Sequence, residues 1–275
     1  MTLKLAIFGN PVEHSLSPVL HTYFGKQAGI DVSYERILVP EGGFAAAADS
    51  FFASGGAGCN VTVPCKQDAF AYAGECTERA RKAAASNTLK KLDGGGIFAD
   101  NTDGAGLVED LRSLGTDFPS CDVLVIGAGG AAMGILDEIW HERPRSITVT
   151  NRTLSNAQKL ASQFGYIKVL PQEEVRGSYG LVLNASSSSL HGVLPAIDES
   201  VLADAGCVYD LMYSRDGTTV LTEKARALGA AGVHDGIGML VCQAVLSFRL
   251  WTGADIDIPK AKDYLRDAIA QKGSS

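Results

Sequence analysis

Several polar side chains in the first 103 residues have types and positions suited to holding a small hydroxylated acid. In His14-Ser15-Leu16-Ser17-Pro18, the hydroxyls of Ser15 and Ser17 share one loop. In Asn60-Val61-Thr62-Val63-Pro64-Cys65-Lys66, the even spacing of Asn60 and Thr62 places both on one face of a strand. Lys66 follows at the start of the next helix, where a cation meets the positive end of the helix dipole. That placement costs a little stability and points to a functional reason. Asn87 and Asp103 stand at later strand ends, and Asp103, in Asp100-Asn101-Thr102-Asp103-Gly104, occupies a helix N-cap position. Taken singly, each has a plain structural explanation: caps for Ser15, Ser17 and Asp103, a surface lysine for Lys66. Together, hydroxyls, amides and a Lys–Asp pair suit a polyhydroxylated acid bound through many hydrogen bonds. A serine-nucleophile hydrolase is not indicated, because Gly-x-Ser-x-Gly is absent.

A second chemical signal begins at Gly127. The run Val123-Leu124-Val125-Ile126 reads as a buried parallel strand, and Gly127-Ala128-Gly129-Gly130-Ala131-Ala132 follows it and opens a helix. Glycines there permit a tight turn and close approach of a pyrophosphate, which the helix amides and dipole then hold. A lone glycine-rich turn is weak, since any tight strand-to-helix turn needs glycine. The strand, turn, helix and second strand in order make it a dinucleotide site. The next strand ends in Thr150-Asn151-Arg152-Thr153, with Asn151 24 positions after Gly127. An NAD site carries Asp or Glu near this point for the ribose 2′-hydroxyl. Arg152 instead can pair with a 2′-phosphate, while Asn151 and Thr153 add hydrogen bonds, so NADP is favoured.

These residues need a scaffold, and the rest of the 275-residue chain supplies one. Hydrophobic residues make up 46% and charged residues 20%, enough for a sizeable core and one large or two ordinary domains. Lys and Arg total 24 against 31 Asp and Glu, and the net charge of −7 argues against nucleic acid as a partner. No apolar run approaches the length of a membrane span, and the apolar start is too short for a signal peptide. A cytoplasmic protein with six reduced cysteines is expected, with no structural metal, because no CxxC or paired-His spacing occurs. Short apolar runs alternate with amphipathic stretches, which predicts an α/β fold with parallel sheets. Strands are expected at 3–8, 32–39, 57–63, 123–126, 146–150, 166–170, 180–184 and 207–211. A hairpin is expected at 87–101 around Asp93-Gly94-Gly95-Gly96. Helices are expected from Ser17 as N-cap with Pro18 at N1, and over 42–54, 66–73, 75–85, 104–114, 130–142, 154–164, 220–228, 238–251 and 260–272. The pattern changes near residue 102, which marks a domain boundary.

The segments FGNPVEHSLSP, NVTVPCK, SNTL, DNTDGAG, IGAGGAA, TNRT, NASSS, YDLMY, DGIGMLVCQA and FRLWTG, in this order, resemble the shikimate dehydrogenase family along nearly the whole chain. The resemblance implies reversible NADPH-dependent reduction of 3-dehydroshikimate to shikimate, in chorismate and aromatic amino-acid biosynthesis. It implies two domains, a substrate-binding domain (1–102 plus 238–275) and a Rossmann-type NADP domain (103–237), with the active site in the cleft between. It gives catalytic roles to Lys66 and Asp103. Substrate-binding roles fall to Ser15, Ser17, Asn60, Thr62, Asn87, Tyr213 and Gln243. Cofactor roles fall to Gly127, Ala128, Gly129, Gly130, Ala131, Asn151, Arg152 and Thr153, and to Gly236 and Met239 near the nicotinamide. The partner is then a small molecule, with neither nucleic acid nor membrane, and monomer and homodimer both fit. Two other readings stay open: a quinate/shikimate enzyme with relaxed NAD/NADP use, and a non-catalytic sensor of a shikimate-pathway acid.

Overall fold

The computed structural model describes residues 2–214 and 217–272. The chain divides into two compact units. One comprises residues up to Gly106 together with Val241–Leu265; the other comprises Leu107–Leu240 and the residues from Arg266 onward.

The first unit is built on a six-stranded sheet in the order β2-β1-β3-β5-β6-β4. Its strands are β1 (Leu3–Gly9), β2 (Val32–Leu38), β3 (Gly58–Val61), β4 (Glu75–Cys76), β5 (Thr88–Lys91) and β6 (Ile97–Asp100). β1 pairs in parallel with β2 and β3, so these three strands end on the same side. β5 and β6 form the expected antiparallel hairpin. The helices are α1 (Ser17–Ala28), α2 (Phe44–Ala53), α3 (Lys66–Tyr72) and α4 (Glu78–Ala83). Phe8 from β1 meets the edge of Phe51, with centroids 5.5 Å apart, inside a core shared with Phe44, Phe52 and Leu89. α5 (Asp103–Ser113) and α10 (Ile237–Thr252) each begin in one unit and end in the other.

The expectations fail locally at three helix starts. Ser17 is not the N-cap of α1: Leu16 holds that position, and the Ser17 amide donates to the Ser15 hydroxyl at 3.2 Å. Asp103 is likewise the first residue inside α5 and not its cap; its own amide donates to Asn101 Oδ1. The helix expected from 75 begins only at Glu78, because the Thr77 hydroxyl accepts the Ala80 amide and fixes the start there. Glu75 and Cys76 pair with Phe98 and Ala99 as a short parallel strand.

The second unit carries a six-stranded parallel sheet in the order β12-β11-β10-β7-β8-β9. Its strands are β7 (Asp122–Ile126), β8 (Ser146–Thr150), β9 (Ile167–Val169), β10 (Leu181–Asn184), β11 (Cys207–Asp210) and β12 (Val233–His234). Counted within the unit, this is the doubly wound 3-2-1-4-5-6 order, whose direction of winding reverses between β7 and β10. Alternate residues fill two cores. Val123, Val125, Leu181 and Leu183 pack with Leu107, Leu111, Ile135 and Ile139, while Leu124, Ile126, Val182 and Val208 pack with Val201, Leu202 and Leu221. Burial on both faces explains the unbroken apolar run of β7. The helices are α6 (Gly130–His141), α7 (Leu154–Gln163), α8 (Glu199–Ala203) and α9 (Val220–Ala227), and α11 (Ile258–Lys272) ends the described chain. All six cysteines are free. No helix among the described residues is long and apolar enough to cross a membrane.

In the first unit His21 is fully buried, stacked on Tyr34 at 4.7 Å with an interplanar angle of 3°, and neither ring nitrogen has a hydrogen-bond partner. Burial lowers its pKa to about 3. Between the ordinary histidine value and about 3, the unfolded chain therefore binds a proton that the folded chain refuses. Stability is lost as pH falls through that window and unaffected by this group above it. His21→Phe should shrink the fall in thermal midpoint between about pH 7 and about pH 5 in scanning calorimetry. An unchanged fall would contradict this role for His21.

Candidate active site

In the first unit, the site is assembled by the ends of β1, β3 and β5 and the first turns of three helices. Lys66 Nζ donates to Asp103 Oδ2 at 2.5 Å, with the two side chains 29% and 15% exposed. Lys66 opens α3, against the helix dipole, and Asp68 in the same turn offsets part of that cost. Asp103 opens α5, where a carboxylate is favoured. The two helix starts thus bring opposite charges to one point. The Lys66 carbonyl is fixed in turn by the Ser86 amide at 2.8 Å.

Asn87 orients the pair. Its Oδ1 accepts the Thr102 backbone amide at 2.8 Å, which settles which end of the amide faces which way. Its Nδ2 therefore faces Asp103 Oδ1 at 2.7 Å and Gln243 Oε1 at 3.2 Å. Behind it lies a buried hydroxyl cluster. Ser247 Oγ accepts from Asn60 Nδ2 at 3.0 Å, lies 2.7 Å from Thr88 Oγ1, and donates to the Gln243 carbonyl. Asn60 Oδ1 accepts from Tyr34, and Asn60 Nδ2 also reaches Thr88 Oγ1, so this amide is held on both ends by protein. Ser15 and Ser17 Oγ are 3.2 Å apart at the start of α1. Thr62 lies one residue past β3, its amide continuing the ladder to the Phe8 carbonyl.

The first unit thus contains Ser15, Ser17, Asn60, Thr62, Lys66, Asn87, Asp103 and Gln243. Tyr213 belongs to the second unit, where burial pushes its hydroxyl above the usual tyrosine range. Thr88, Thr102 and Ser247 escape the sequence reading, although Ser247 lies one helical turn after Gln243, a spacing that places both on one face. Gly106 also matters by its small size: a Cβ there would lie 2.5 Å from the Gln243 amide nitrogen.

The second unit offers a phosphate cradle where its sheet reverses. Gly127 has φ +118°, and a Cβ on it would stand 2.9 Å from the Ala185 carbonyl carbon. Its amide donates to the Thr150 carbonyl, tying the turn to β8. Gly129 caps α6 without any side-chain acceptor, and the space beside Gly129 and Gly130 is open. The first amides of α6, including those of Ala131 and Ala132, have no acceptor within the helix. These residues fit a dinucleotide pyrophosphate. Ala128 packs against the core from within the loop. Past β8, Asn151 Nδ2 donates to the Thr153 carbonyl at 2.9 Å and shapes the turn that exposes Arg152. Arg152 has no acidic partner among the described residues, so its exposed guanidinium could hold an anionic ligand.

Two further turns of this unit are fixed by buried polar groups. Asp210 accepts from Asn184 Nδ2 at 2.9 Å, Thr219 Oγ1 at 2.6 Å and the Met212 amide at 3.1 Å. Burial nonetheless raises its pKa. Tyr209 Oη donates to Asp110 and accepts the Met239 amide at 2.9 Å, and so anchors the start of α10 beside Gly236. No group of three or more His, Cys, Asp or Glu able to hold a metal occurs among the described residues.

A doubly wound parallel unit with a glycine-rich turn and an exposed arginine after the next strand, joined to a hydroxyl-rich unit with a Lys–Asp pair, fits a nicotinamide-dependent oxidoreductase of small hydroxylated substrates. Family models agree. The shikimate dehydrogenase substrate-binding domain matches residues 7–89, shikimate / quinate 5-dehydrogenase matches 110–191, and the shikimate 5′-dehydrogenase C-terminal domain matches 236–263. The chain is 48% identical to the NADP(+) shikimate dehydrogenase of Vibrio cholerae over 267 residues, 96% of this chain and 95% of the relative. Among solved structures, an Ael1 enzyme from Pseudomonas putida is 35% identical with a TM-score of 0.90, covering 96% of this chain and 98% of that one. Shikimate 5-dehydrogenase from Thermus thermophilus, in complex with NADP(H) and shikimate, is 31% identical with a TM-score of 0.88, covering 97% and 99%. The chain belongs to the shikimate dehydrogenase family.

Proposed function

We infer that this chain is an NADP-dependent shikimate dehydrogenase, reducing the ring ketone of 3-dehydroshikimate to shikimate and catalysing the reverse. The observation that carries the reading is the Lys66–Asp103 contact of 2.5 Å, oriented by Asn87. When bound, NADPH supplies the hydride. Lys66 then faces the negative charge that develops on the ketone oxygen and stabilises it. Asp103 holds the ammonium in place, and the pair delivers the proton as one coupled unit. Ser15, Ser17, Thr62 and Gln243 supply hydrogen bonds to the acid and its hydroxyls. Asn60, held on both ends by protein, supports this set. Gly127–Ala131 would take the pyrophosphate, Asn151–Thr153 the 2′-phosphate, and Gly236 and Met239 the nicotinamide end. The reaction belongs in the cytoplasm, where six free thiols stay reduced; monomer and homodimer both satisfy it.

The enzyme and sensor readings separate in one assay. Purified protein should oxidise NADPH only when 3-dehydroshikimate is added; binding of the acid without turnover would favour the sensor. The cofactor assignment is tested by Arg152→Ala. Loss of a charge-assisted phosphate contact worth about 1.5–3 kcal/mol should raise KM for NADPH by about tenfold or more, and leave KM for NADH nearly unchanged. Equal effects on both cofactors would remove Arg152 from the 2′-phosphate site.

A further inference from the structure

The proposed substrate is an anion, and the residues assigned to it carry no net positive charge. Lys66 is neutralised by Asp103 at 2.5 Å, and Ser15, Ser17, Asn60, Thr62, Asn87 and Gln243 are uncharged. The chain as a whole carries −7, which opposes the approach of an acid. A compensating cation lies on β2. Arg36 Nη2 donates to the Ser15 carbonyl at 2.6 Å, at the loop that holds the two serine hydroxyls. Register places Arg36, Ile7, Asn60 and Thr88 in one row across β2, β1, β3 and β5, so Arg36 shares a sheet face with Asn60. Tyr34, two residues earlier on the same face, donates to Asn60 Oδ1 at 2.8 Å. Arg36 makes no ion pair among the described residues. Of the acids nearby in sequence, Glu35 points to the opposite face of β2, and Glu13 Oε2 accepts the Val12 amide at 3.2 Å. The 12-residue helix α1 also starts at this loop without a side-chain cap, so its dipole adds to the same positive field.

We propose that Arg36 is the electrostatic determinant for the substrate carboxylate: through its charge beside the Ser15–Ser17 loop it draws in and retains the anionic end of the acid. This rests on the shikimate dehydrogenase reading. It makes the site selective for acids over neutral polyols of the same shape, and makes that selectivity sensitive to salt.

Titration calorimetry with shikimate, its neutral methyl ester and NADP+ tests this, on the wild-type chain, Arg36→Gln and Arg36→Lys, at low and high salt. Glutamine keeps a donor for the Ser15 carbonyl but removes the charge; lysine keeps the charge. Arg36→Gln should weaken shikimate binding by about five- to tenfold at low salt and flatten its salt dependence, the signature of a screened charge. Arg36→Lys should retain most of the affinity. Affinity for NADP+ and for the ester should stay within about twofold across the set, as expected when only a charge term changes. Wild-type affinity and salt slope in Arg36→Gln would overturn the proposal, as would equal losses in Arg36→Lys and Arg36→Gln. Parallel losses for the ester or NADP+ would show a structural role instead and overturn it too. If the wild-type chain itself binds no shikimate, the functional reading fails, a result distinct from any of these.

Discussion

Replacing Lys66 with alanine is expected to lower kcat by about 10²–10⁴-fold, the range for loss of a positioned acid–base group, while KM for shikimate stays within a few-fold. The asymmetry follows from the geometry. The ground-state contacts proposed for the acid are spread over Ser15, Ser17, Thr62 and Gln243, none of which bonds to the Lys66 ammonium. Lys66 has its single described side-chain bond with Asp103, and Asp103 keeps its second contact to Asn87 when the lysine is gone. The lost interaction is therefore one made mainly where charge develops on the ketone oxygen. Initial rates with both substrates varied separate the two parameters. A large rise in KM with kcat unchanged would make Lys66 a binding residue.

The second large effect is expected at Gly127. Alanine there must adopt φ +118°, which costs about 1–3 kcal/mol, and its Cβ would press on the Ala185 carbonyl carbon at 2.9 Å. The turn that opens α6 can relieve the clash only by moving away from β10, and that carries the α6 amides off the pyrophosphate position. NADP+ affinity should fall by about 10–100-fold, since each 1.4 kcal/mol is tenfold. Shikimate affinity, whose proposed residues other than Tyr213 lie in the other unit, should not move. Separate titrations of the two ligands check this; equal losses of both would mean that the substitution unfolds the chain rather than distorting the cradle.

Much of this site is legible in the sequence, because its main residues sit at strand ends and helix starts that local pattern reveals. The glycine run after a buried strand marks the tight turn that opens α6, and Arg152 stands exposed where an acid would be expected in an NAD site. Lys66 and Asp103 are visible as charges at helix starts, but their contact is not: 37 residues separate them, and only the sheet order brings α3 and α5 together. Asn60 illustrates the limit. Its alternation with Thr62 marks it as polar and face-sharing, yet only the fold shows that Tyr34, Thr88 and Ser247 already engage both ends of its amide. The misplaced helix start before Glu78 has the same origin. Glu75 and Cys76 carry no strand signal of their own and become a strand because β6 offers a free edge. Arg36 reads as an ordinary charge on a half-exposed strand until register sets it beside the serine loop.

Shikimate-dependent reduction of NADP+ by the purified chain, followed at the absorbance of the reduced nicotinamide with quinate and NAD+ run in parallel, tests the catalytic and cofactor assignments together. The Lys66–Asp103 pair, the hydroxyl set and Arg152 together predict rapid turnover with shikimate and NADP+ and little with the other three combinations. Equal turnover with quinate or with NAD+ would contradict the substrate or the 2′-phosphate assignment respectively, and no turnover with any pair would contradict the catalytic role of the Lys66–Asp103 pair itself.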